Sequence, residues 1–437
     1  MQSSVFRESI RYCVPSVLGM LGLSCYILAD TFFIANGIGT DGLAALNLAL
    51  PIYSLIHGIG LMLGVGGATQ FSIGKSRAGA DANTSAFTHT LTAAAVFAGI
   101  FVLAAVFLAA PITHLLGADE VVFAMSKTYL QMLLLFSPAF LLNEILLSFV
   151  RNDGSPHLSM AAMAGGSIFN ILFDYIFIFS LKMGIFGAVL ATCIAPVISI
   201  GIQSVHFIRH KNSFHPTREP FDGSLLKKIV AGGLPSLVTE LSGGVVMTVF
   251  NQIVLQISGN VGVAAYGVVA NLSLVVIAMY TGVAQGMQPI VSKSYGTGNG
   301  TRGKSALRYA VWFTVILSVC IYGIVFFGCD WITGIFNREG NSELHRIAAA
   351  GLKVYFIGGF FAGCNIVLSS YFAAAEHIRP GNILSLLRGF ALILPAALVL
   401  SHVWGMPGLW ASFPVAEGVT FVAGCLLQKR LPCEKFA

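Results

Sequence analysis

The sequence predicts an all-α polytopic membrane protein of about twelve transmembrane helices. They form two six-helix lobes related by a pseudo-two-fold axis along the membrane normal. Three observations predict it. Of the 437 residues, 56% are hydrophobic and only 10% charged, with a mean hydropathy of +0.83; a soluble domain carries about 25% charged residues. Apolar stretches long enough to cross a bilayer recur about twelve times along the chain. The second half of the chain also echoes the first.

The spans lie at roughly 12–35, 43–72, 85–110, 121–149, 157–181, 184–208, 225–257, 261–291, 306–328, 347–373, 380–401 and 405–428. The opening MQSSVFRESIRYC is polar and runs straight into the first span, so it does not read as a cleavable leader. Pro15, Pro51, Pro138, Pro196, Pro235, Pro289, Pro395 and Pro414 fall inside spans, where prolines permit kinks, and abundant Gly, Ser and Thr permit close helix packing. With the N-terminus placed in the cytoplasm, 18 of the 24 Lys and Arg fall on the inner side. That bias puts both termini in the cytoplasm of a multi-pass plasma or inner membrane protein. The net charge of +6 belongs to these loops and does not point to nucleic acid.

PSVLGMLGL at 15 is echoed by PSLVTELSG at 235, and TDGLAALN at 40 by NVGVAAYG at 260. QFSIGKS at 70 returns as QPIVSKS at 288, and GIFGAVLAT at 184 as GMPGLWASF at 405. The repeat divides the chain into residues 1–208, a polar cytoplasmic linker at 209–224, and residues 225–437. Six spans per half is an even number, so both halves have one orientation, and parallel repeats place a substrate path on the axis between them.

Several local patterns carry no chemistry. IGKSRAG at 73 lacks the first glycine of a phosphate loop, because residue 69 is Thr69. GNGTRG at 298 matches a dinucleotide fingerprint but follows no strand, and reads as a turn. His206, His210 and His215 have metal-like spacing but lie among Arg and Lys at a membrane edge. The eight cysteines form no CxxC pair and read as reduced packing residues. There is no enzyme motif, and no cofactor or resident metal is expected.

The informative residues are acids inside spans: Asp30, Glu144, Asp174, Glu240 and Glu417. An acid at mid-membrane depth costs about 2.5–3.5 kcal/mol on insertion scales, so its presence asks for a function. In SIFNILFDYIFIF (167–179), Asn170 and Asp174 are four apart and share a helix face. Counted from the outer ends of their spans at about 1.5 Å per residue, Asp30, Asp174, Asn170, Thr192 and Tyr129 occupy one level of the first half. Two carboxylates, an amide and hydroxyls can share a proton or bind a small monovalent cation such as Na⁺.

Glu240 either braces the helix near Pro235 or meets a cationic substrate. Arg388 and Glu417 read as an ion pair. Glu144 either pairs with Arg151 or caps a cytoplasmic gate, and His57 reads as a packing residue. A substrate cavity is expected to use Tyr53, Glu240, Met247, Met279 and Tyr280, because Met and aromatic side chains repack around varied ligands.

ADTFFI around Asp30, FNILFDYIF around Asn170 and Asp174, GIFGAVLAT ending at Thr192, RNDGSP at 151 and SKSYGTGN at 292 resemble the multidrug and toxic compound extrusion (MATE) family. The resemblance runs over essentially the full chain and is strongest to its DinF/MepA-like branch. It implies a secondary exporter, not an enzyme, in which inward H⁺ or Na⁺ drives out amphipathic organic cations by alternating access. It also implies coupling roles for Asp30, Asn170, Asp174 and Thr192, a network role for Tyr129, and a helix-1 bend at Pro15. The partners implied are small-molecule drugs and the lipid bilayer, with no nucleic acid, and the protein is expected to act as a monomer. The sodium-coupled NorM-like branch has a second acidic set on helices 7 and 10; helix 10 here carries no buried acid. A lipid-linked oligosaccharide flippase of the same superfamily is the alternative, and would call for a basic cavity. A membrane enzyme is the remote one.

Overall fold

The computed structural model describes residues 2–78, 85–218, 220–337 and 340–430. Arg338, Cys433 and Lys435 lie outside them. The described residues are helical almost throughout. In chain order the α-helices are α1 (Gln2–Gly37), α2 (Thr40–Ala78), α3 (Ser85–Phe107), α4 (Ala109–Leu115), α5 (Phe123–Leu135), α6 (Ser137–Asn152), α7 (Pro156–Tyr175), α8 (Gly184–Ile208), α9 (Gly223–Gly296), α10 (Gly300–Phe336), α11 (Ser342–Tyr355), α12 (Gly358–Ala374), α13 (Ile378–Leu386), α14 (Ile393–Trp404) and α15 (Met406–Arg430). Short π-helical turns extend α7 at Ile176–Ser180 and α13 at Leu387–Ala391.

These elements yield the twelve expected spans. Among the described residues, nine helices are long and apolar enough alone, and two bent pairs bring the number to 11. The 74-residue α9 holds two spans, because Gly259 breaks it at φ 61° and ψ −156°, a conformation essentially reserved for glycine. The bent pairs are α5–α6, turning by 49°, and α11–α12, turning by 45°. Pro138 supplies the first break, since it has no N–H to continue the ladder. At the second, Gly358 lets the chain pass Phe413: a Cβ there would lie 2.5 Å from that ring. α1 runs through Pro15 as one helix.

The chain forms two compact units. One is Leu18–Leu241; the other takes in α1 up to Val17 and the chain from Ser242 on. The repeat thus divides the chain at the linker, whereas the packing divides it inside α1 and α9. Small residues explain the difference. Within the first unit, a Cβ on Gly66 would lie 1.9 Å from the Ile229 carbonyl oxygen, and one on Gly233 1.8 Å from that of Met62. The early part of α9 therefore lies backbone to backbone on α2. Within the second unit, Gly282 and Gly286 receive the backbone of Val17 and Cys13 in the same way, at 2.7 and 2.5 Å. Gly233→Ala should lower stability by about 2 kcal/mol, because backbone cannot rotate away as a side chain can. Gly232→Ala, with nothing within 4 Å of its Cβ, is the matched control. Equal melting temperatures of the two variants in detergent would refute this packing.

The linker is docked, not loose. Asp153, in the turn after α6, receives Lys75 Nζ at 2.6 Å on Oδ1, and His206 Nε2 at 3.0 Å and Ser213 N at 2.8 Å on Oδ2. Ser213 Oγ also bonds to Oδ1 and to Lys75. Phe214 is fully buried, with its ring 4.8–5.7 Å from Phe87, Phe149, Phe207 and Phe71. Asp222 N donates to His89 Nε2 at 2.7 Å. His206 is thus a buried partner of a carboxylate. Among the described residues no three His, Cys, Asp or Glu form a metal-binding group. GNGTRG is a helix cap, with Asn299 accepting from Arg302 N.

Candidate cation-coupling site

The polar level expected in the first half is assembled inside the unit Leu18–Leu241. Gly19 and Gly22 let α1 approach Met163 and Ser167 of α7. Further along, Phe33 packs edge-on against Tyr175 at 6.3 Å and Phe179 at 5.9 Å, and Gly37 lies against Ile178. This contact presents Asp30 to the end of α7. Asp174 is in the last turn of α7, and the next five residues form the π turn. Such turns rotate following side chains out of α-helical register and recur at functional sites.

Asp30 is 6% exposed, Tyr129 2%, Thr192 5%, and Asn170 and Asp174 are fully buried. With its amide nitrogen turned toward the acid, Asn170 donates to Asp174 Oδ2 at 3.2 Å and its oxygen accepts from Thr192 N at 3.2 Å. Thr192 Oγ1 donates to the Ala188 carbonyl at 3.2 Å. The Tyr129 side chain is in hydrogen-bonding contact with Asp30 and with Thr192. Asp30 Oδ1 and Asp174 Oδ1 are buried without a hydrogen-bond partner. The two acids are near enough for their charges to act on each other. Two like charges with an unsatisfied oxygen each form an unfavourable arrangement in an apolar lobe, and a cation or proton relieves it.

The other acids are placed differently. Arg388 Nε donates to Glu417 Oε1 at 3.1 Å, and Asn365 Nδ2 to Glu417 Oε2 at 2.7 Å. That pair is closed within the second unit. Tyr280, expected in a cavity, is instead a packing residue: it is 1% exposed, and its hydroxyl shares a 2.8 Å bond with Ser318. Tyr53, Met247 and Met279 are half-buried. Arg151, one expected partner of Glu144, is 2% exposed in the last turn of α6. Glu144 faces His57, whose other ring nitrogen faces Glu240. His57 is therefore flanked by two acids, a place that its lone position in an apolar span gave no sign of. Packing across three helices makes that cluster, and no short spacing signals it.

The family model described as MatE matches residues 15–176 and 235–398. "Multidrug export protein MepA" of Staphylococcus saprophyticus is 27% identical over 448 aligned residues, covering 99% of this chain and 96% of the relative. The protein of the same name from Staphylococcus aureus strain MW2 is 25% identical, covering 98% of this chain and 94% of its own. Among solved structures, "Crystal structure of MATE in complex with MaL6" superposes with a TM-score of 0.91 at 21% identity, covering 97% of this chain and 96% of that one. The two lobes of helices, the matched residues in both halves and these relatives lead to one assignment: the chain belongs to the MatE family.

Proposed function

We propose that the protein exports amphipathic organic cations, such as drugs, in exchange for inward protons. It is a transporter and not an enzyme. The observation that supports the coupling half is the pair of buried, unpartnered carboxylate oxygens of Asp30 and Asp174. In this reading Asp30, Asp174 and Tyr129 bind the coupling ion, while Asn170 and Thr192 orient Asp174.

A proton is the simpler occupant, because the two buried, unpartnered carboxylate oxygens of Asp30 and Asp174 suffice to share one. Na⁺ would draw on the same oxygens together with remaining lone pairs of Asn170, Thr192 and Tyr129, and the two gradients below separate the two ions. Protonation removes the repulsion between the acids and repacks α1, which carries both Asp30 and Pro15; α1 is the two-state element on which ion and substrate act. Tyr53, Glu240, Met247 and Met279, all half-buried, are the residues proposed to meet the substrate. The termini are cytoplasmic in this reading, and the unit of action is the monomer.

The export half is supported by the names of the relatives. The flippase alternative is disfavoured because Arg388, a buried cation, is consumed by Glu417. Efflux of a cationic dye from proteoliposomes, under an imposed pH gradient and separately under a Na⁺ gradient, tests the reading. Efflux driven by the pH gradient alone is expected. Efflux driven by Na⁺ alone would overturn the proton, and none under either gradient would overturn the exchange.

A further inference from the structure

Glu144, His57 and Glu240 form a cluster of their own within the first unit, and the coupling reading uses neither His57 nor Glu144. His57 Nε2 is 3.6 Å from Glu144 Oε1, and His57 Nδ1 is 3.4 Å from Glu240 Oε2. The His57 and Glu144 side chains are each 8% exposed, and that of Glu240 is 28% exposed. His57 Nε2 is buried without a hydrogen-bond partner. The sequence makes this approach possible. Gly58 has no side chain where Leu237 and Glu240 pass, at 2.8 and 3.3 Å from a built Cβ, and Gly60 and Gly64 seat Glu144 at 3.0 and 2.7 Å.

A neutral imidazole has one N–H and one bare lone pair. Between two carboxylates, the bare nitrogen would face an anion, which is repulsive. Only the imidazolium presents a donor to both acids. Its other neighbours suit a cation. Tyr53 stacks on the ring at 5.8 Å and 11°, and its hydroxyl is 2.6 Å from that of Tyr26; a tyrosine face favours positive charge. Asn143 Nδ2 donates to Glu144 Oε1 at 3.2 Å. Arg151, two turns further along α6, is a second cation acting on Glu144. Asp30 lies one turn beyond Tyr26 on α1.

We propose that Glu144, His57 and Glu240 form a second proton-binding site, and that an organic cation on the half-exposed Glu240 displaces the proton held by His57. With the imidazolium in place the three groups carry net charge −1. When a monovalent organic cation pairs with Glu240, His57 gives its proton to solvent, the bare groups total −2, and the bound cation restores −1. One proton leaves for each cation bound, and no other bond changes. The organic-cation step rests on the export reading; the proton on His57 does not.

Two measurements on the full-length protein in detergent test the two parts separately. In the histidine-labelled protein, ¹⁵N spectra distinguish imidazolium from the neutral ring, and the signal lost in His57→Gln identifies His57. An imidazolium is expected at pH 7, turning neutral in Glu144→Gln and in Glu240→Gln. A neutral His57 in the unsubstituted protein overturns the site. These carboxylate variants also serve if His57→Gln fails to fold. The second measurement uses tetraphenylphosphonium, which has no proton of its own, on the Asp30→Asn/Asp174→Asn protein, so that the first site cannot contribute. Binding should release about one proton, and affinity should rise up to tenfold per pH unit while His57 titrates. Adding His57→Gln should remove both effects. Proton release that survives that change, or no binding at all, overturns the exchange. An imidazolium at His57 together with absent efflux would overturn the export reading and leave the proton site standing.

Discussion

Asp174→Asn is expected to reduce gradient-driven efflux at least tenfold, to the leak of empty vesicles, while the protein inserts and folds as well as before. The two halves of this expectation have separate causes. Asp174 Oδ1 is buried with no hydrogen-bond partner, and among the described residues no ion pair includes Asp174. Removing an uncompensated charge from such a place relieves a penalty, so the melting temperature should stay level or rise. Asn170 can still meet the new amide at position 174. Transport should fail because the substituted site no longer distinguishes a protonated from a deprotonated state. A ligand shifts a conformation only by its differential affinity for the two states, and without that difference the gradient no longer drives α1, whatever proton the His57 cluster exchanges. Dye efflux from proteoliposomes, with binding of the same dye measured in parallel, checks it. Normal gradient-driven efflux in Asp174→Asn would remove Asp174 from the coupling site. Loss of folding would show that the carboxylate is structural.

Asp153→Ala is expected to lower stability by about 3 kcal/mol, because it leaves His206 and Lys75 without their shared anion. Lys75 is 35% exposed, and solvent screens its share, which keeps the figure at the low end. The loss should be local first: hydrogen exchange over residues 211–217 should speed up before the spans lose protection. Asp153 lies outside the spans, and its titration gives a pH signature. Burial pushes its carboxyl up, but hydrogen bonds from His206, Lys75 and Ser213 outweigh burial and hold it below the ordinary 3.8. A folded-state pKa below the unfolded one means the unfolded chain binds more protons. The stabilisation is therefore full above the ordinary carboxylate range and is lost as pH falls through the folded value. Linker protection should be flat from about pH 6 to 8 and collapse only in acid. Protection that changes between about pH 6 and 8 would overturn the assignment to Asp153.

The membrane class, the span count, the repeat and the polar level at Asp30, Asn170, Asp174 and Thr192 were all legible in the sequence. The reason is physical. In hydrocarbon a helix needs about 20 apolar residues, and an acid among them is conspicuous because its penalty is large. The depth of a residue in a span follows from counting, at a fixed rise per residue, so one shared level can be read from separate helices. The linker docking was hidden, because Ser213 and Phe214 lie in a polar stretch of ordinary composition and their partners Asp153, His206, Phe87 and Phe149 lie on other helices. The burial of Tyr280 against Ser318 was hidden for a related reason: its hydroxyl partner is on α10, and a span's own residues do not say which side meets lipid, cavity or neighbour. The division inside α1 and α9, and the meeting of His57 with Glu144 and Glu240, depended on which glycines of one helix face the backbone of another. That choice is made by helix rotation and close packing of whole surfaces, and only the tertiary structure decides it.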